Sequence, residues 1–176
     1  MKAYVGTDSE SRAGIARKRA PTVRKPSSTW LLLTLMAVAP AFAAPPLPIA
    51  ATDVAALVAA PAKGSKVLAL WSLDCAYCEE NLAALRAYQR DHHDVELVYV
   101  ATDPMTQGEA LEARLKRAKL EDVPSRAYTE TTPDRLNFMI DPSWGGETPR
   151  TLVIHADGTR KALSGALTPA RIKQLL

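Results

Sequence analysis

This sequence has few cysteines, no internal repeat and no long apolar run. Only two of its 176 residues are cysteines, so a zinc site built from thiolates alone would lack half of its four ligands. No apolar stretch reaches the roughly 20 residues that a membrane-spanning helix needs. Residues 1–43 carry seven basic and two acidic side chains against a net charge of +3 for the whole chain, which leaves −2 for the remainder. The basic excess therefore gives no support for nucleic-acid binding.

The two cysteines are three residues apart, in Cys75-Ala76-Tyr77-Cys78, between a strand-like run (66–72) and a helix-like run (79–89). A cysteine at a helix N-terminus is stabilised as the thiolate, because unpaired backbone N–H groups and the helix dipole favour negative charge there. A second cysteine one turn later can form a disulfide with the first. The pattern predicts a redox-active pair, with Cys75 as the attacking sulfur at an exposed tip and Cys78 as the shielded resolving sulfur.

Three other uses of the pair are weaker. A structural disulfide that closes so short a loop stabilises the fold by only about 2 kcal/mol. Two thiolates could capture a metal, and soft sulfur suits Cu(I), but we predict no resident metal and no cofactor. Haem attachment is excluded, because Glu79 follows Cys78 where that motif has histidine.

The first 43 residues have the order of a secretory signal peptide. A basic leader precedes the apolar run 30–38, and Ala41-Phe42-Ala43 supplies small residues for cleavage. We expect cleavage there and export to the periplasm or an equivalent compartment that tolerates disulfides. The alternative is a retained inner-membrane tether, for which the run 30–44 is short and contains Pro40.

The remainder predicts one folded domain. We expect residues 44–65 to form a Pro/Ala-rich tether with a short helix, and residues 66–176 to form the domain. Hydrophobic periodicity predicts the order β-α-β-α followed by β-β-α. The strands are 67–71, 95–100, 151–155 and 161–164, and the helices are 79–89, 107–119 and one that starts at Thr168-Pro169. Between Pro124 and Met139 the pattern is ambiguous, with a short helix from Pro133 as one interpretation. The result is an α/β fold with a central mixed sheet and helices on both faces.

Two motifs together carry a family resemblance. They are Trp71-Ser72-Leu73-Asp74-Cys75-Ala76-Tyr77-Cys78, and Thr148-Pro149 before an apolar strand and an Asp157-Gly158 turn. They resemble the thioredoxin-like superfamily, and within it the exported TlpA/ResA type, over residues 66–176. The resemblance implies a thioredoxin-like fold and a cis Pro149 that faces the CxxC, with Thr148 offering backbone groups to a substrate peptide. Thioredoxins carry a buried acid where this chain has Ala69, so the usual proton acceptor for the resolving thiol is missing there.

The predicted function is an exported thiol–disulfide oxidoreductase that acts on a partner protein with a disulfide or a dithiol. We also expect a second partner, a membrane or periplasmic protein that donates electrons to the cysteine pair. Asp74, Glu79 and Glu80 surround the pair, and like charge raises the pKa of a thiol, which favours a reductase over an oxidase. We expect the protein to be a monomer and not to bind nucleic acid. The alternatives are a non-catalytic thioredoxin-like binding module and a Cu(I)-handling protein.

Other side chains receive simpler interpretations. Adjacent side chains point apart, so His92 and His93 predict a helix C-terminus rather than a metal site. Trp71 is expected to support the CxxC from the core, and Trp144 to be either a substrate platform or local packing. The basic residues near the end of the helix 107–119, including Arg114, are expected to lie in solvent.

Overall fold

The computed structural model describes residues 45–176, and the predicted signal peptide and its anchor alternative lie outside these residues. In chain order the elements are β1 (Leu47–Ile49), α1 (Val54–Leu57), β2 (Ser65–Trp71), α2 (Cys78–Asp91), β3 (Val95–Pro104), α3 (Gly108–Arg117), β4 (Ser125–Tyr128), α4 (Asp134–Ile140), β5 (Arg150–His155), β6 (Arg160–Ser164) and α5 (Pro169–Leu175). Short 3-10 turns precede α1 and α3. Every helix within residues 45–176 is too short or too polar to span a bilayer.

The six strands form one mixed sheet in the order β1-β4-β3-β2-β5-β6. The pairs β1–β4, β4–β3 and β3–β2 are parallel, whereas β5 runs antiparallel to β2 and β6 antiparallel to β5. The central strand β2 pairs along both edges, with Ser65 opposite Val95 and opposite His155. Its near-continuous apolar sequence follows from burial on both faces.

Alternate residues of β2 enter two separate cores, as the two-residue period of a strand requires. On one face, Val67, Ala69 and Trp71 pack with residues of α2, α3 and α5. On the other face, Leu68 and Leu70 pack with residues of α1 and α4. The predicted mixed sheet with helices on both faces is confirmed. The carboxyl end of β2 leads directly to the cysteines. The packing of β2 between two layers of helices therefore fixes the position of the segment that carries them.

Two strands were missed by the sequence analysis, and the predicted tether is wrong in part. Leu47–Ile49 pairs in parallel with β4 at the sheet edge, where a proline such as Pro48 is tolerated because one side of the strand needs no hydrogen bonds. The strand Ser125–Tyr128 was obscured by the polar residues Ser125 and Arg126, and it pairs with β3. The sheet therefore begins about 20 residues before the predicted start of the domain at residue 66.

Candidate active site

Cys75 and Cys78 form a disulfide at the beginning of α2, with a Cα–Cα distance of 5.5 Å. Cys78 is 1 % exposed and Cys75 is 8 % exposed. The predicted order of exposure holds, but the expectation that Cys75 forms an exposed tip is wrong, because its side chain packs into the core cluster that contains Trp71. The two residues between the cysteines, Ala76 and Tyr77, are exposed, and Tyr77 has 66 % of its surface open.

The buried stripe of α2 holds Cys78 against the sheet. Cys78, Asn81, Leu82 and Leu85 are the buried residues of this helix, and their spacing of three, one and three places them on one face. Leu82 and Leu85 anchor the helix by apolar burial. Asn81 is the polar member of the stripe, and its amide hydrogen-bonds to a neighbouring loop.

The segment before Cys75 is held by two side chains from elsewhere in the chain. The backbone N–H of Leu73 donates to Asp103 Oδ2 at 2.9 Å, and the carbonyl of Leu73 accepts from Arg114 Nη1 at 2.9 Å. Arg114 also forms an ion pair with Glu79. The expectation that Arg114 lies in solvent is therefore wrong, because α3 turns this residue toward the CxxC.

Asp103 has an altered acidity in this position. Burial raises the pKa of the Asp103 carboxyl, and the negative charge of Asp74 raises it further, although the hydrogen bond from Leu73 acts in the opposite direction. Sequence reasoning missed both Asp103 and Arg114. The signal that could have found Asp103 is its place near the carboxyl end of β3, beside the carboxyl end of β2 in a parallel pair.

Thr148 and Pro149 lie against the same segment. Ser72 Oγ and Thr148 Oγ1 are hydrogen-bonded at 3.1 Å, and the Thr148–Pro149 peptide bond is cis. The carbonyl of Pro149 accepts from the N–H of Gly165 at 2.9 Å. The structure therefore brings the second predicted motif next to the residues that lead into the first.

Asn81 connects these parts. Its Nδ2 donates to the carbonyl of Gly165 at 2.8 Å, and its Oδ1 accepts from the N–H of Leu167 at 2.9 Å. Because Gly165 also bonds to Pro149, one loop links the cysteine helix to the proline segment. Asn81 is a third residue that the sequence analysis missed, since a polar residue on an apolar stripe carries no signal of its partner.

A cluster of charged residues lies next to Pro149 and consists of Arg150, Asp141 and Glu147. Arg150 Nη2 donates to Asp141 Oδ2 at 2.6 Å, and both side chains are only 10 % exposed. Arg150 Nη1 donates to Ser164 Oγ at 2.9 Å and lies 3.7 Å from Glu147 Oε1. Burial would raise the pKa of the Asp141 carboxyl, but hydrogen bonds from Ser143 and Arg150 and the charge of Arg150 hold that pKa below its ordinary value.

Comparison with solved structures shows which fold this chain shares. A thioredoxin-related protein from Neisseria meningitidis serogroup B has a TM-score of 0.54 and 19 % identity, over 64 % of this chain and 82 % of that one. A secreted disulfide oxidoreductase from Mycobacterium tuberculosis, described as homologous to Escherichia coli DsbE, has a TM-score of 0.50 and 17 % identity, over 63 % of this chain and 78 % of that one. The fold is thioredoxin-like. No protein-family model matches the sequence, and no curated protein matches it significantly.

Within this thioredoxin-like fold, the remaining candidate residues have structural places. Trp71 is almost fully buried beside both cysteines, as expected for core support. Trp144 is buried and its Nε1 donates to the carbonyl of Glu147 at 2.8 Å. Of its two predicted roles, local packing is therefore the correct one and the substrate platform is wrong. His92 follows α2 and stacks on Tyr88. Among residues 45–176, no three His, Cys, Asp or Glu side chains are grouped closely enough to hold a metal ion.

Proposed function

We propose that this protein is an exported thiol–disulfide oxidoreductase that reduces disulfides in partner proteins through Cys75 and Cys78. The observation that carries the proposal is the disulfide between these two residues at the N-terminus of α2, at the carboxyl end of the central strand of a thioredoxin-like fold. Cys78 is held in place by the buried stripe of α2, which keeps it close enough to Cys75 to re-form the disulfide after exchange.

A donor protein with a dithiol supplies two electrons that reduce the Cys75–Cys78 disulfide to two thiols. The Cys75 thiolate then attacks a sulfur of the partner's disulfide, so that a mixed disulfide forms and one partner thiolate leaves and takes a proton. Finally the Cys78 thiolate attacks Cys75 Sγ, restores the intramolecular disulfide and releases the second partner thiol. The partner gains two electrons and two protons, and the donor loses them.

The surroundings of Cys75 support a protein partner. Tyr77 places a largely exposed aromatic ring inside the motif, and exposed aromatic rings contribute strongly to protein interfaces. Thr148 and Pro149 are proposed to bind the partner's backbone as an added strand. The hydrogen bond between Ser72 and Thr148 keeps that segment beside the loop that leads to Cys75.

Export and direction belong to the same proposal. The order of basic leader, apolar run and small residues in 1–43 supports export, and the M. tuberculosis protein of the same fold is described as secreted. The acidic residues Asp74 and Glu80 are exposed near the pair and oppose thiolate formation, which supports a reductase. Glu79 contributes less to this effect, because its charge is paired with Arg114.

A disulfide-reduction assay on insulin, with wild type, Cys75→Ser and Cys78→Ser, tests the activity. We expect wild type to be active, both variants to be inactive, and Cys78→Ser to accumulate a mixed disulfide with its partner. Inactive wild type that retains Cu(I) tightly would replace the proposal with the copper-handling function, and partner binding without turnover would replace it with the binding module. A potential well above about −200 mV against glutathione would overturn the reducing direction.

A further inference from the structure

Arg114 contacts the chain on both sides of the CxxC. Its Nη1 donates to the carbonyl of Leu73, two residues before Cys75, and its guanidinium pairs with Glu79, the residue directly after Cys78. These partners are 41 and 35 residues away in sequence. A single side chain from α3 therefore joins the entry and the exit of the motif.

We propose that Arg114 is a positioning residue for the dithiol, and that it sets the redox potential of the pair by holding Leu73 and by neutralising Glu79. The inference rests on the proposed thiol–disulfide exchange and deepens it. It assigns to one basic side chain a part in how strongly the reduced state is stabilised, beyond the two cysteines themselves.

The hold on Leu73 is complete at the backbone. Its N–H donates to Asp103 Oδ2 at 2.9 Å and its carbonyl accepts from Arg114 at 2.9 Å, so both of its hydrogen-bonding groups are engaged by charged side chains. Bonds to charged groups are stronger than bonds between neutral groups. The segment that leads into Cys75 is thus fixed from two elements, β3 and α3, rather than by its own turn alone.

The charges give the direction of the effect. Reduction of the disulfide allows a thiolate to form, and a cation nearby favours the thiolate whereas an anion opposes it. Arg114 offsets the acidic residues around the pair, and its side chain is only 24 % exposed, so solvent screens it less than it screens a surface charge. Loss of Arg114 should therefore favour the disulfide, and loss of the Glu79 charge should favour the dithiol.

The same helix supplies a matched control. Arg117 carries the same charge near the same end of α3, but it is exposed and makes no side-chain hydrogen bond or ion pair within residues 45–176. Removal of its charge changes the net charge of the protein by the same amount. A general electrostatic effect would appear in both variants, whereas positioning at the CxxC would appear only at Arg114.

The test measures the equilibrium of the purified full chain with glutathione, in which two glutathione molecules reduce the disulfide and form one glutathione disulfide. We expect Arg114→Gln to shift this equilibrium toward the protein disulfide by about threefold, equivalent to about 14 mV for a two-electron couple, and Glu79→Gln to shift it about as far in the opposite direction. Arg117→Gln should match wild type. Arg114→Lys, which keeps the charge but loses the planar fork, should recover part of the shift.

Several results would overturn the inference. Shifts of equal sign in Arg114→Gln and Glu79→Gln would indicate loosened structure rather than tuning, and equal behaviour of Arg114→Gln and Arg117→Gln would remove the special role. If Arg114→Gln does not fold, Glu79→Gln still tests the inference, because a shift of its equilibrium toward the disulfide rather than the dithiol would overturn it. A wild-type pair that does not exchange with glutathione would overturn the proposed function as well. Normal exchange with no shift in any variant would overturn this inference alone.

Discussion

Replacement of Arg150 by methionine should destabilise the protein by about 3 kcal/mol near neutral pH. Arg150 and Asp141 are each 10 % exposed and are joined at 2.6 Å, and breaking a buried pair costs about 3–5 kcal/mol because it leaves one charge uncompensated. We take the lower end for two reasons. Asp141 keeps hydrogen bonds from the N–H and Oγ of Ser143 at 3.0 and 2.6 Å, and Arg150 Nε, which is buried without a partner, is removed with the side chain.

The pH dependence follows from the acidity of Asp141. In wild type the pKa of this carboxyl is lowered, so Asp141 stabilises the native state above its unfolded pKa, and this contribution is lost as the pH falls through the folded pKa. In Arg150→Met, burial remains while the hydrogen bond and the charge of Arg150 are lost, so the folded pKa of Asp141 is higher than in wild type. The stability that the Asp141 carboxylate contributes above its unfolded pKa is then smaller than in wild type, whereas the two proteins differ less at low pH, where the carboxyl is protonated. The penalty of the substitution should therefore be smaller at about pH 4 than at about pH 7.

Urea unfolding followed by circular dichroism at both pH values measures these free energies. Asp141→Asn and the double variant complete a cycle, in which we expect a coupling of about 2 kcal/mol. Arg135→Met is the control, because Arg135 is 69 % exposed and pairs with Glu130 at 3.7 Å, so its loss should cost less than about 1 kcal/mol. An Arg150→Met protein as stable as the control variant, or a penalty that grows in acid, would refute the reasoning.

Two further substitutions probe the scaffold. Asn81→Ala removes the hydrogen bonds to Gly165 and Leu167. It should lower the free energy of unfolding in urea by about 2–3 kcal/mol and reduce insulin-reduction activity. An unchanged activity would contradict the link between α2 and the Pro149 segment. Gly64→Ala should destabilise far more than Gly158→Ala, although both glycines have positive φ, because a Cβ at residue 64 would lie 1.9 Å from the Asp94 carbonyl oxygen whereas residue 158 has nothing within 4 Å. Gly158→Ala serves as the control and should lose about 1 kcal/mol of stability. Equal losses of stability in the two variants, measured by thermal unfolding, would argue against the clash.

Much of the scaffold was accessible from the sequence, because strands and helices with one or two buried faces leave a periodic apolar pattern. The strands β2, β5 and β6 and the helices α2 and α3 begin and end within a few residues of their predicted limits, and α5 begins at the predicted Pro169. The three-residue spacing of Cys75 and Cys78 was enough to predict their disulfide. By contrast, β1 has three residues and β4 has four, and such short segments are held by their neighbours rather than by a pattern of their own.

Sequence alone thus located the candidate redox pair of this protein, since two cysteines one turn apart at the start of a helix suit thiol–disulfide exchange. Only the tertiary structure decided how that chemistry is surrounded. It buried Cys75 against Trp71, turned Arg114 toward Glu79 instead of solvent, and placed Asp103 on the backbone of Leu73. Periodicity reports which face of an element is buried. By contrast, a contact between a polar side chain and a partner 30 or more residues away depends on the packing of whole elements against each other, which no local pattern encodes.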